Sequence, residues 1–106
     1  MADTLKRLAG PTQLGTSAAT VYTVPGSTTT VVRDITVANT TGSAATFTLS
    51  IGLDAAGTRL YSAVSIPANS TFQRTGSVVL TAGEVLQAYA GSAASLTLTI
   101  NGVESA

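Results

Sequence analysis

The sequence lacks both residue types on which many catalytic and metal sites depend, since it contains no cysteine and no histidine. Without cysteine there is no disulfide, thiol nucleophile or thiolate ligand. Without histidine, the commonest general base and metal ligand is missing. The five acidic residues are scattered along the chain, so no pair of carboxylates is expected to face a cleft. We therefore expect a protein that is not an enzyme and that needs neither a cofactor nor a metal.

Charge is equally scarce. Charged residues make up 9% of the chain, and five basic residues balance five acidic ones, whereas soluble domains usually contain about 25% charged residues. We expect neither nucleic acid nor a membrane as a partner, because both attract basic patches. A small free domain usually keeps its net charge away from zero. Either neighbouring subunits cover this surface in an assembly, or the many threonine and serine hydroxyls keep the protein in solution.

Long apolar runs are also absent, and none approaches the roughly 20 residues that cross a bilayer. The segment Met1–Gly10 carries Lys6 and Arg7 but no apolar stretch after them, unlike a signal peptide. The sequence thus predicts a protein that is made in a cytoplasm and then stays soluble or joins a particle.

The chain nevertheless has a strong apolar pattern. Hydrophobic residues make up 44% of its 106 residues, which suits one folded domain. In segments 46–53 and 95–100, apolar residues alternate with threonine or serine, which is typical of strands with one buried face. We predict that two sets of side chains face each other across a core: Phe47, Leu49 and Ile51, and Leu96, Leu98 and Ile100.

Weaker alternation predicts further strands at 19–24, 29–38, 58–66, 71–80 and 85–90, separated by turn residues. Helix signals are nearly absent, so we predict an all-β, single-domain β-sandwich. Two pairs of segments also resemble each other, and a chain of two similar halves favours a jelly roll. The pairs are Ser43–Ile51 with Ser92–Ile100, and Val24–Thr29 with Ile66–Thr71.

The first 17 residues belong to neither half. Their leucines do not alternate, and the Gly10-Pro11 step cannot continue a helix. We predict an irregular N-terminal arm over residues 1–17, followed by a β-sandwich domain over residues 18–106. The arm either attaches the protein to a neighbour or packs on its own sandwich. Its candidate interface residues are Leu5, Lys6, Arg7, Leu8 and Leu14.

Arg33 interrupts the apolar strand Val31–Val37, where strict alternation would turn it towards the core. A β-bulge at this point would redirect it outward. Arg33 is therefore a further interface candidate, because arginine is enriched at interface hot spots. The alternative is an intrachain ion pair with Asp34 or Glu84.

Five stretches together resemble a family of short structural proteins of tailed bacteriophages. The resemblance covers most of the chain, although its turns depart from the usual Pro-Ala-Gly pattern and no functional residue carries over. The stretches are Leu5–Pro11, Val21–Gly26, Val32–Asn39, Ile66–Ser70 and Gly83–Gly91.

The resemblance implies a virion structural protein that is made in the host bacterial cytoplasm. We expect a capsid decoration (cement) protein on the head exterior, present as a homotrimer beside virion proteins such as the major capsid protein. A tail or tail-fibre component is the alternative within this class. A carbohydrate- or receptor-binding module is the alternative from another class, and it would use an exposed cluster of Tyr22, Tyr61 and Tyr89 to stack on a glycan.

Overall fold

A computed structural model describes residues 3–92 and 94–105, and this part of the chain consists of eight strands and their connections without a helix. It therefore contains no helix that is long and apolar enough to cross a membrane. The strands are β1 (Asp3–Gln13), β2 (Ala19–Thr23), β3 (Thr29–Asn39), β4 (Ala45–Ile51), β5 (Arg59–Ile66), β6 (Thr71–Leu80), β7 (Val85–Ala90) and β8 (Leu96–Ser105).

The strands form two antiparallel sheets of four. One, here called the β1 sheet, has the order β1-β8-β3-β6, and the other, the β2 sheet, has the order β2-β7-β4-β5. The two inner faces share one hydrophobic core, which confirms the predicted all-β sandwich. All seven strands predicted between residues 19 and 100 are present, with ends that differ by a few residues.

The core lies where the alternation placed it. Phe47 and Leu49 on β4 are fully buried, as are the three predicted side chains on β8. Across the sandwich, the Phe47 ring centroid lies 5.9 Å from that of Phe72 on β6. Ile51 is only half-buried and packs at the margin of the core.

The N-terminal segment differs from its prediction. The expectation of an irregular arm over residues 1–17 is wrong for most of the described part, because Asp3–Gln13 forms β1 and pairs along β8 at one edge of its sheet. The register shifts between Arg7 and Ala9 and again between Ala9 and Thr12. These bulges break the period of two, so the sequence of β1 does not alternate like that of a regular strand.

Gly10 makes the second irregularity possible. Its φ of 82° lies in the left-handed region that side chains other than glycine rarely adopt. A Cβ atom at this position would also collide with the backbone carbonyl of Leu98 on β8. Just after β1, the Leu14 N–H donates a 2.9 Å hydrogen bond to the carbonyl of Leu96 and holds the end of the segment against the sheet.

Truncation of either central core leucine should destabilise the protein strongly. We expect Leu49→Ala and Leu98→Ala each to lower the free energy of unfolding by about 2–5 kcal/mol, because each leaves a cavity in a closely packed core. Urea unfolding measures the change. Leu53→Ala is the matched control, since Leu53 is 75% exposed. A core variant that loses no more stability than this control would contradict the packing described here.

Candidate functional site

An apolar row crosses the outer face of the β1 sheet. Leu5 on β1 is the register partner of Val103 on β8, Val103 is the partner of Val31 on β3, and Val31 is the partner of Val79 on β6. Leu5 is 85% exposed and Val79 is 61% exposed, while the two central valines are half-buried. This apolar row, consisting of Leu5, Val103, Val31 and Val79, therefore spans the whole width of the sheet.

Valine doublets place two members of the row on this face. Successive side chains of a strand point to opposite faces, so each doublet supplies one valine to the core and one to the surface. On β3, Val32 is buried and Val31 lies outside. On β6, Val78 packs against the core and Val79 lies outside. None of the three valines of the row was among the residues predicted from the sequence. The doublets were the available signal for Val31 and Val79, whereas Val103 stands between Gly102 and Glu104 and offered none.

Charged side chains flank the row on β1. Asp3 and Arg7 lie two residues before and two residues after Leu5, and all three are exposed. Asp3 accepts a 2.6 Å hydrogen bond from the Ser105 hydroxyl. Within the described residues, Arg7 has no carboxylate within ion-pair distance. Along the outer face of β1, a negative, an apolar and a positive side chain therefore follow one another.

Arg33 lies next to the row on the same face. The register of β3 shifts between Val32 and Asp34 against both β6 and β8, and Arg33 is exposed at this point. The predicted bulge is thus confirmed. The predicted alternative of an ion pair with Asp34 or Glu84 is wrong, because among residues 3–92 and 94–105 the ion pairs involve other arginine and lysine residues.

The structure brings four of the six predicted interface residues to one place. An open depression of about 330 Å³ lies on the β1 sheet between β1 and β3, next to the apolar row. Asn101 and Gly102 on β8, the strand between β1 and β3, form its floor. The predicted interface residues that line it are Leu5, Lys6, Arg7 and Arg33.

The other two predicted interface residues belong to the core. Leu8 and Leu14 are 8% and 3% exposed and pack in the hydrophobic cluster. Leu8 fills space beside Gly102, where any Cβ atom would collide with it. Their prediction as interface residues is wrong, because these two leucines stabilise the chain's own sandwich.

Lys6 takes part in a polar network that links the two sheets at the β1–β2 side. Its amine lies 3.1 Å from Glu104 Oε1. The Tyr22 hydroxyl on β2 donates a 2.6 Å hydrogen bond to Glu104 Oε2 and accepts a 2.8 Å hydrogen bond from Thr30. The amine of Lys6 therefore forms an ion pair within its own chain.

This network shifts two pKa values in opposite directions. The hydrogen bond from Tyr22, with a smaller contribution from Lys6, holds the pKa of Glu104 below its ordinary value. Burial and the hydrogen bond to the Glu104 carboxylate raise the pKa of Tyr22 to about 12. Both shifts favour a neutral phenol beside an ionised carboxylate.

The outer face of the β2 sheet is covered by its own side chains. Arg59 on β5 donates hydrogen bonds to both carboxylate oxygens of Asp54, at 3.1 and 3.2 Å, and to the Tyr89 hydroxyl on β7 at 3.2 Å. Beneath this bridge, Thr48 and Ser50 are buried although they point away from the core. This face is therefore polar and internally bonded, in contrast to the open β1 sheet.

The three tyrosines do not form a glycan-stacking platform. Tyr22 is buried at the β1–β2 side, and Tyr61 packs at the β5–β6 side with its ring centroid 5.4 Å from that of Phe72. Tyr89 lies alone on the outer face of the β2 sheet, where it contacts Arg59.

In the described part of the chain, no three acidic side chains come together in a way that could hold a metal ion.

Comparisons with known proteins bear on the fold. No protein-family model and no curated protein matches the chain. Among solved structures, it is similar to one described as "Bacillus endospore appendages form a novel family of disulfide-linked pili". The TM-score is 0.57 at 12% identity, over 96% of this chain and 86% of that one. This likeness shows a shared fold.

A weaker match, at 21% identity and a TM-score of 0.32, covers 91% of this chain and 18% of an isomalto-dextranase from Arthrobacter globiformis T6 complexed with panose. The resemblance to phage structural proteins stays a prediction.

Glu104→Gln should destabilise the fold more at neutral pH than in acid. The folded-state pKa of Glu104 is lowered, so its carboxylate contributes stability above the unfolded pKa of about 4.3, and this contribution is lost as the pH falls through the folded value. The difference in unfolding free energy between wild type and variant should therefore shrink between about pH 7 and about pH 3. Urea unfolding at both values measures it. An unchanged difference would assign the effect to lost packing rather than to charge.

Proposed function

We propose that the protein is a non-enzymatic structural component of a bacteriophage virion, and that it is a capsid decoration protein on the head exterior. The resemblance of five sequence stretches to phage structural proteins supports the setting. The observation that carries the proposal is the apolar row across an open outer face, flanked by arginines without ion-pair partners among the described residues. Exposed apolar stripes with a polar surround are typical of protein-binding surfaces.

The proposal includes the jelly-roll class of sandwich. Strand orders β1-β8-β3-β6 and β2-β7-β4-β5 are those expected when two Greek keys of four strands wrap together. Advancing every strand of one sheet by four in chain order yields the other sheet, and β4 then corresponds to β8. This agrees with the similarity of Ser43–Ile51 to Ser92–Ile100. The two similar proline turns follow β2 and β5, which this operation does not relate.

A tail or tail-fibre component is the second candidate. Its support is the fold shared with a protein whose structure was described as forming disulfide-linked pili. This chain has no cysteine, so any fibre that it formed would not be linked by disulfides. The same open face would serve such a fibre, so the two candidates differ in the location of the protein on the particle.

Immunogold labelling of purified particles tests the proposal. Particles from a culture that produces the protein should carry gold on the head exterior, because a decoration protein coats that surface. Gold on the tail alone would favour the second candidate. Particles that carry no gold, and whose mass spectra contain none of its peptides, would contradict the proposed virion role. Particles from a deletion strain serve as the control for antibody specificity.

A further inference from the structure

We infer that the outer face of the β1 sheet is a homodimer interface, in which two copies stack face to face about a two-fold axis parallel to the apolar row. This rests on the proposed function for its setting, an assembly in which copies of the chain meet. The occupant of the face is a second copy, because the pattern of charge and apolar surface on the face is complementary to itself.

The sheet edges argue against assembly by strand addition. Proteins block such pairing with short strands, charges, proline and bulges. The β1 edge carries Lys6, Arg7 and Pro11, and β2 is only five residues long. On β5 the register shifts twice and Ala63 adopts a φ of 48°. On β6 two residues lie opposite the single Arg33, which forms another bulge. All four edges are thus protected, and the open surface that remains is a face.

Half of the exposed large hydrophobic side chains in the described part of the chain belong to the apolar row. Within the described residues, four large hydrophobic side chains are exposed, and two of them, Leu5 and Val79, mark the two ends of the apolar row. The other two, Leu53 and Leu60, lie apart in the β4–β5 hairpin. A two-fold axis along the row would place each row residue against its own counterpart in the second copy. The apolar surface of both copies would then be removed from water.

Charge selects this axis. Asp3 and Arg7 flank Leu5 on the same face of β1, one on each side of the row. Rotation about the row exchanges the two sides, so Arg7 of each copy comes opposite Asp3 of the other, twice per dimer. Further along the face, Asp34 comes opposite the uncharged Thr29 of the second copy. An axis parallel to the strands would instead bring Arg7 opposite Thr75 and would form no ion pair.

The area of the face suffices for a dimer. Four strands at about 4.8 Å spacing and about 10 residues of about 3.3 Å each give a face of roughly 600 Å². Stacking two such faces buries roughly 1,200 Å² in total, at the lower end of specific interfaces. We therefore expect a dimer of moderate affinity that depends on both the row and the charges.

Charge reversal tests this geometry. Asp3→Lys and Arg7→Glu should each raise the dimer dissociation constant about tenfold or more, because each places like charges opposite one another. The double variant Asp3→Lys/Arg7→Glu should return to within about threefold of wild type. A mixture of the two single variants should form a heterodimer, since both ion pairs are restored between unlike chains. Analytical ultracentrifugation over a concentration series measures all four samples, and circular dichroism checks their folding.

A second pair of variants tests the apolar row. Val79→Asp should weaken the dimer at least about tenfold, because the two-fold axis places the two new carboxylates opposite each other at one end of the row. Leu53→Asp, equally polar but outside the face, should leave it unchanged. A monomeric or trimeric wild-type protein would overturn the inference, as would single variants that fail to recombine. Immunogold labelling of particles does not depend on the dimer. A protein that does not dimerise could still be found on the head, and a protein absent from particles could still dimerise, so the two proposals can fail independently.

Discussion

Burial of the two inner sheet faces against each other is the constraint on which the rest of the structure depends. The chain has no cysteine for a disulfide, so one hydrophobic core must hold both sheets together. Specific contacts complete this core at both open sides of the sandwich. Tyr61 and Phe72 close the β5–β6 side, and the Tyr22–Glu104 hydrogen bond closes the β1–β2 side. Most of the large apolar side chains therefore lie in the core. A surface that binds other molecules has to lie on one of the two outer faces.

The two outer faces have different chemistry for a physical reason. On the β2 sheet, Arg59 reaches across β4 to Tyr89, and buried Thr48 and Ser50 lie beneath it. These polar groups therefore have partners within the chain. Among residues 3–92 and 94–105, no comparable cover lies over the apolar row of the β1 sheet, and its two ends, Leu5 and Val79, are exposed. The proposed contact with neighbours therefore uses the β1 sheet rather than the β2 sheet.

Sequence reasoning succeeds where structure follows from local periodicity. The alternation of Phe47 and Leu49 with threonine and serine was sufficient to place β4 and its buried face. It failed on β1, because bulges around Ala9 and Gly10 break the period and make a strand resemble an irregular arm. The apolar row was out of reach for another reason. Its members come from four strands, and only the register between distant segments shows that Leu5 and Val79 share a line.

β1 links the completion of the fold to the formation of the assembly face. The strand contributes Leu8 to the core and Leu5 to the apolar row. Its pairing with β8 places Asp3, the first described residue, opposite Ser105, the last one. Contacts at such sequence separation are entropically the most demanding to form. The edge of the face, with both charges that set the two-fold axis, thus exists only when the sandwich is closed. Incompletely folded chains lack the complementary surface, so the proposed self-association would be confined to folded protein.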